Sequence, residues 1–244
     1  MTGRTIFVTG TDTDVGKTVV AAWLAATLAV DRQVALVKPF QTGAVDPSSD
    51  GDEAFYRAAL GEETVEIRTL VSLPEPLAPS IAAERANAPI DVAAALVECR
   101  ALARKSDMTL VEGAGGLLVS ITAEHDMAGF AAALDASLVV VARPSLGTLN
   151  HTTLTLEAAE RRGLPVEMVV ISGFPREAGV TEWENLRWLR DRYPALPLLV
   201  LAEAPLAPSD PLAGLDPHIL GPLPPLLAGQ DIPALDLAGQ PSES

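Results

Sequence analysis

Several kinds of residue are scarce in this 244-residue chain, and each scarcity removes a class of protein. A single cysteine, Cys99, excludes an intrachain disulfide framework and suits a reducing compartment, with the thiol read as structural. The three histidines, His125, His151 and His218, are scattered; with one cysteine there is no His/Cys cluster of zinc spacing, and transition-metal catalysis is not expected. Cations are also few. Against 32 Asp and Glu stand 17 Lys and Arg, and the net charge of −15 repels a nucleic-acid backbone and anionic lipid alike. No charge-free apolar run approaches the ~18 residues of a membrane span, and no basic segment followed by an apolar one opens the chain. The expectation is a cytoplasmic protein with no nucleic-acid or membrane partner.

What is present is enough apolar residue, 48%, to bury one α/β core. Apolar strand-like runs at Thr5 to Thr9, Gln33–Val37, Met108–Val111, Leu138–Ala142, Glu167–Ile171 and Pro197–Leu201 alternate with helical patterns. Such alternation predicts a doubly wound, mostly parallel sheet with helices on both faces, and the phosphate loop Gly10 to Thr18 after its first strand makes it one of the P-loop NTPase type. The expected organisation is one domain over residues 1–239 and a flexible tail over 240–244. Nine of the 20 prolines fall between Pro205 and Ser244, so 205–239 is expected to be loops and a short helix packed on that domain. Ligands bind such sheets outside the carboxyl ends of the strands, where the chemistry is therefore sought.

The first strand runs into Gly10-Thr-Asp-Thr-Asp14-Val15-Gly16-Lys17-Thr18-Val19, followed by an Ala-rich helical segment. Backbone N–H groups and the positive end of a helix dipole converge there, as a polyphosphate requires. Lys17 is placed to reach the β- and γ-phosphates, and the Thr18 hydroxyl to hold Mg²⁺. Five residues separate Gly10 from Gly16 where the common P-loop has four, so the loop is a variant. Asp12 and Asp14 would repel a bound polyphosphate unless Mg²⁺ or a cationic substrate group intervened.

The second strand ends in Lys38-Pro39-Phe40-Gln41-Thr42-Gly43, which puts a second lysine beside the loop. Two lysines would neutralise the charge of a transferring phosphoryl group in a site that excludes water. The run Met108–Val111 ends in Glu112-Gly113-Ala-Gly115-Gly116, an acid where P-loop proteins keep a Mg²⁺ ligand, followed by glycines that admit close approach. Asp52, opening the helix Glu53–Leu60, reads either as a metal ligand or as a helix N-cap. Ser145-Leu146-Gly147-Thr148-Leu149-Asn150-His151 reads as a helix start with Asn150 as N-cap, and equally as an anion site.

These segments, with Glu75-Pro76-Leu77-Ala78-Pro79, follow in the order and spacing of the dethiobiotin synthetases, which the chain resembles over residues 5–175. The resemblance implies a homodimer with sites at the subunit interface. Its reactants are 7,8-diaminopelargonate (DAPA), CO₂ and ATP, with Mg²⁺. It further implies that Lys17 and Lys38 stabilise a carbamate and the γ-phosphoryl group, and that Thr13 and Thr42 contact the carbamate and amines. Thr18, Asp52 and Glu112 would hold Mg²⁺. Asp14 would lie near the nucleotide or the diamine. Leu146 to Asn150 would bind the DAPA carboxylate of the neighbouring subunit. The nucleotide set adds Val15, Gly16, Val19, Gly113, Gly115, Gly116, Ser172 and Gly173. Where many members of that family carry an Asn for the adenine edge, this chain has Ser172-Gly173, which leaves other nucleoside triphosphates open. The alternatives are a related P-loop amidoligase and a ParA/MinD-like nucleotide switch. The first carries a glutaminase domain for which this chain has no room. The second has a signature lysine early in the loop, where this chain has Thr11 and Asp12.

Overall fold

In β1 (Arg4–Gly10), Ile6 and Val8 face one side of the sheet and Phe7 the other, and all three are fully buried, so the strand needs cover on both faces. The computed structural model describes residues 3–61, 65–204 and 210–237. It contains one eight-stranded sheet in the order β3-β2-β4-β1-β5-β6-β7-β8. The further strands are β2 (Val34–Thr42), β3 (Val65–Leu73), β4 (Met108–Gly116), β5 (Ser137–Ala142), β6 (Val166–Phe174), β7 (Leu198–Ala202) and β8 (Pro217–Leu220). Seven run parallel, and β8 alone is antiparallel, against β7.

The helices are α1 (Lys17–Leu28), α2 (Pro47–Asp50), α3 (Asp52–Leu60), α4 (Pro79–Ala86), α5 (Val92–Ala103), α6 (Met127–Ala133), α7 (Thr148–Arg161) and α8 (Val180–Arg192). On the Ile6/Val8 side, α1 packs with Tyr56 of α3 and with Leu226 and Leu227 of a 3₁₀ turn. On the Phe7 side lie α5, α6, α7 and α8, through Cys99, Phe130, Ala159 and Leu189 among others. Burial pushes the Cys99 thiol up to about 12, as expected of an unreactive core cysteine. Among the described residues no helix is long and apolar enough to cross a membrane.

All six strands expected from the apolar runs are present, and β2, β4 and β6 extend further toward their carboxyl ends than the runs suggested. Two strands were not expected. β3 is an edge strand whose first residues alternate Val65, Glu66, Ile67, Arg68, with the two apolar residues buried, a half-buried period-2 pattern. β8 is a four-residue edge strand whose first residue is a proline, an allowed place for a residue without an N–H. Residues 205–209 of the Pro-rich segment and the 240–244 tail lie outside the described residues.

β2 stays paired with β4 only as far as Val37↔Val111, while its pairing with β3 continues to Thr42↔Leu73. The two central strands therefore part just before Pro39, which has no N–H to offer. Lys38 and Glu112 enter the gap. Gly113, next along β4, backs directly onto the sheet interior. A Cβ there would stand 2.8 Å from Phe7 Cε1, whereas one at Gly116 would meet nothing closer than 3.5 Å. Phe7 has no room to yield, since it is fully buried with Phe130 at 6.5 Å between ring centroids. Gly113→Ala is expected to lower the unfolding free energy by about 1–3 kcal/mol, the usual cost of overpacking. Gly116→Ala should cost clearly less. Urea denaturation of both variants checks the difference.

Candidate active site

The loop between β1 and α1 ends at Gly16, the N-cap of α1, with φ 91° and ψ 23°. Only glycine takes that conformation without strain, and a Cβ at this position would also meet Ser172 Oγ at 2.4 Å. Gly16 has no side chain to cap the helix, so the first N–H groups of α1 remain available to an anion. Asp14 also has positive φ, 54°, which Asp tolerates better than most residues. Lys17 folds back so that Nζ donates to the Asp12 carbonyl at 3.1 Å. Burial holds its pKa below the ordinary lysine value; Lys38 adds to this, and Glu112, Asp52 and Asp14 oppose it.

The gap between β2 and β4 holds a compact ionic cluster. Lys38 Nζ lies 2.6 Å from Asp52 Oδ2 and 2.6 Å from Glu112 Oε1, and it donates to the Gly113 carbonyl at 3.3 Å. Thr18 Oγ1 lies 3.2 Å from both Asp52 Oδ1 and Glu112 Oε1. Burial alone would lower the pKa of Lys38, but Glu112 and Asp52 outweigh it and raise the value, so the side chain stays an ammonium. Glu112 is pushed up by its own burial and by Asp52, and pulled down by Lys38. Thr18, Asp52 and Glu112 bring three hard oxygen donors together, the chemistry Mg²⁺ selects. Among the described residues no group of three or more His, Cys, Asp or Glu exists that would cage a metal, so phosphate oxygens and water would complete the shell.

A cavity of about 500 Å³ joins these elements. Of the residues anticipated from sequence, Thr13, Asp14, Gly16, Lys17, Thr18, Val19, Lys38, Thr42, Asp52, Glu112 and Gly115 line it. Others do not. Val15 is buried in the core, Gly113 packs on Phe7, Ser172 packs against Gly16, and Gly116 lines a neighbouring cavity of about 340 Å³ with Asp12 and His151. Leu146 and Asn150 are exposed, while Thr148 is buried.

The capping assignment of Asn150 requires correction, and the capping alternative for Asp52 falls away. Asn150 is not an N-cap: Gly147, at φ 93°, already closes the turn, so α7 starts at Thr148 and Asn150 lies inside its first turn. Asp52 is not an N-cap either; Gly51 precedes it, and the carboxylate turns to Lys38 and Thr18.

Sequence reasoning missed Tyr56, Gln41 and Phe55. The Tyr56 hydroxyl donates to Glu112 Oε2, and Gln41 Oε1 accepts from the Asp52 N–H at 3.1 Å, fastening α3 to β2. The signal for Tyr56 was its spacing, four residues after Asp52 and so on the same helix face.

A phosphate cradle at a helix N-terminus, two lysines and an acid pair, on a parallel sheet, define a P-loop nucleotide-using protein. Residues 4–209 match the AAA domain family. MinD of Pyrococcus horikoshii, complexed with Mg-ADP, is similar in shape: TM-score 0.55, 19% identity, 87% of this chain and 86% of that one. A ParA family ATPase from Chlorobium tepidum gives 0.53, 13%, 84% and 86%. At these identities the likeness shows the fold alone. The sequence relatives are nearer. The ATP-dependent dethiobiotin synthetase of Rhodococcus jostii is 48% identical over 184 residues, 74% of this chain and 78% of that protein. That of Mycobacterium avium is 40% identical over 208 residues, 84% and 90%. The chain belongs to the dethiobiotin synthetase family.

Removing the central cation exposes what it does. In Lys38→Met the carboxylates of Asp52 and Glu112 are left facing each other in the buried gap, and stability without added Mg²⁺ should fall by about 3–5 kcal/mol. Glu112 has a raised folded-state pKa, so the native state binds a proton there that the unfolded state releases, and this contribution is lost as pH rises through that pKa. Loss of Lys38 raises it further. The gap in stability between Lys38→Met and wild type is therefore expected to narrow as pH falls, read from urea denaturation at a series of pH values.

Proposed function

We propose that the chain closes the ureido ring of dethiobiotin from DAPA and CO₂, consuming ATP with Mg²⁺ and releasing ADP and phosphate. The observation that carries the reading is the meeting of Lys17, Lys38, Thr18, Asp52 and Glu112 around one cavity. One amine of DAPA adds to CO₂ and loses a proton, giving a carbamate. A carbamate oxygen displaces ADP from the γ-phosphorus, giving a carbamic-phosphoric anhydride. The second amine attacks the carbonyl carbon, and phosphate leaves with the ring closed.

Lys17 and Lys38 hold the negative charge that spreads over the carbamate and the phosphoryl oxygens. Thr13 and Thr42, both lining the cavity, contact the carbamate and the amines. Thr18, Asp52 and Glu112 would hold Mg²⁺, which supplies neutralisation of the phosphate charge. Lys38 Nζ lies between the two acids, and with a cation held there its ammonium would be free to face the reacting groups. The N–H groups from Gly16 to Val19 cradle the phosphates, and Asp14, on the cavity wall, suits a diammonium substrate. Gly115 lines this cavity and Gly116 the neighbouring one, and Ser172 and Gly173 would stand on the base side. We read the protein as cytoplasmic.

A homodimer is part of the proposal. Leu77, Ile81, Leu118, Leu146 and Leu154 are exposed in the single chain. Leu118 and Leu154 line the cavity that also holds Asp12, and Ile81 lines a groove of about 640 Å³ with Ser120. Apolar side chains gathered next to a site mark an interface. Leu146 and Asn150 are exposed outside the lining of the chain's own cavity, which supports a role for the helix start Leu146, Gly147, Thr148, Leu149 and Asn150 in the partner's site, with buried Thr148 offering only its backbone.

Incubating the protein with DAPA, bicarbonate and Mg-ATP should yield dethiobiotin by mass. Its absence, with glutamine-dependent amidation or nucleotide-gated assembly in its place, would favour the amidoligase or the switch. Mixed dimers of inactive Lys17→Ala and inactive Asn150→Ala subunits should recover activity, since one intact site forms from two chains. No recovery after proven subunit exchange would place both residues in one chain's site.

The base side generates a separate expectation. Ser172-Gly173 offers no carboxamide to adenine, and a site reading only backbone groups leaves few polar partners unpaired when the base changes. CTP or GTP should therefore support turnover within about tenfold of ATP, a gap of about 1.4 kcal/mol. Rates for each triphosphate at matched Mg²⁺ check it, and a hundredfold preference for ATP would mean that the base pocket is built from other residues.

A further inference from the structure

We propose that Tyr56 is a positioning residue that fixes Glu112 in the orientation needed to receive a divalent cation. The inference deepens the proposed function and rests on Thr18, Asp52 and Glu112 as the cation's protein ligands. Tyr56 is fully buried, and a buried phenol must find an acceptor for its O–H. It finds one in Glu112 Oε2. The other oxygen, Oε1, is the one near Thr18 Oγ1 and Lys38 Nζ. The two oxygens thus divide their work. The phenol engages Oε2, and the carboxylate plane cannot turn about its last torsion without losing that bond, so Oε1 stays toward the threonine.

Helix α3 makes this arrangement cooperative. Asp52 opens it and Tyr56 follows four residues later, so both side chains leave the same face one turn apart. The start of α3 is tied to β2 by the Asp52 N–H to Gln41 Oε1 bond. One helix therefore sets both acids, Asp52 directly and Glu112 through the phenol, although Glu112 belongs to β4 in the centre of the sheet. A phenol here for packing alone would be served by any acceptor or by phenylalanine; the acceptor chosen is instead the buried acid beside the phosphate loop.

Tyr56→Phe keeps the ring and deletes only the hydroxyl. The probe is Mn²⁺, titrated by electron paramagnetic resonance in the presence of ATP and without DAPA, so that turnover does not enter. Removing a partner that orients a metal ligand typically weakens metal binding by about 10–100-fold, and Tyr56→Phe is expected to weaken Mn²⁺ binding by about tenfold. In a Glu112→Gln background the same change should cost almost nothing further. Equal Mn²⁺ affinity in wild type and Tyr56→Phe overturns the role of the tyrosine while leaving the site reading intact, and so does an equal loss in both backgrounds. Failure of wild type to bind Mn²⁺ with ATP overturns both. A second measurement needs no Tyr56 variant. The chain has two tyrosines, so 3-fluorotyrosine incorporation gives two ¹⁹F resonances, and Tyr193→Phe assigns them. Mg²⁺ added over ATP should shift the Tyr56 line in the protein with Glu112 and not in Glu112→Gln; an unmoved line in both overturns the proposal.

Discussion

Two carboxylates, Glu112 buried and Asp52 partly exposed on the cavity wall, share one buried ammonium, with Lys38 held 2.6 Å from each. Moving three charges out of water costs more than their attraction commonly returns, so such a cluster is poor evidence of stability for its own sake. What it supplies is an arrangement of charge that exists before any ligand arrives. Lys17 acts on both acids as well, and Thr18 from the helix of the phosphate loop stands beside both of them. On the proposed reading, phosphate cradle and cation site are one construction, built from the ends of β2 and β4 and the starts of α1 and α3.

The sheet makes room for this. From β1 the chain first moves to one side, to β2 and β3, and later to the other, to β5, β6 and β7, with β4 and β5 flanking β1. The loop after β1 thus lies where the winding reverses, the place at which an open α/β sheet leaves a crevice beyond its strand ends. The parting of β2 from β4 after Val37 widens that crevice by one side-chain layer, into which Lys38 and Glu112 project. Gly113 closes it from below, where its missing side chain lets β4 lie against the Phe7 ring.

The parts of this that were legible in the sequence are those whose physics is local. Strand, glycine, lysine and helix follow one another in the phosphate loop, so Gly16, Lys17 and Thr18 were readable from residues 5–30, and Lys38 and Glu112 from their position at the ends of apolar runs. Asp52 remained ambiguous because an acid at a helix start has the same local pattern whether it caps the helix or faces a site; only Lys38, 14 positions away in sequence, distinguishes them. Tyr56 was harder still, since its acceptor lies 56 residues on, in strand β4 rather than in its own helix. The start of α7 was misread because Asn150 is a good capping residue, whereas the left-handed turn at Gly147 acts three residues earlier. β3 was overlooked although its first four residues alternate, because Glu66, Arg68, Thr69 and Ser72 interrupt its apolar residues and leave no continuous run.

The acids of the phosphate loop are the last element to find a physical place. Asp12 and Asp14 carry the same charge two residues apart, yet they meet different surroundings. Asp12 Oδ2 lies 3.8 Å from the Arg143 guanidinium and 4.0 Å from His151 Nδ1, and its Oδ1 accepts the Thr13 N–H at 2.8 Å. Its carboxylate thus faces the residue after β5 and the first turn of α7, on the side of the smaller cavity. Asp14 instead lines the cavity of Lys17 and Lys38 and acts on the Lys17 ammonium. In a chain of net charge −15 the field at long range opposes any polyphosphate, but at physiological salt charges beyond about 8 Å are largely screened. Binding is then decided within the cavity, where the lysines and helix N–H groups attract the triphosphate and Asp14 repels it. On the proposed reading that residual repulsion has a function: the site is balanced for a triphosphate accompanied by cations, and a diamine that arrives positively charged completes the balance in a way a neutral competitor would not.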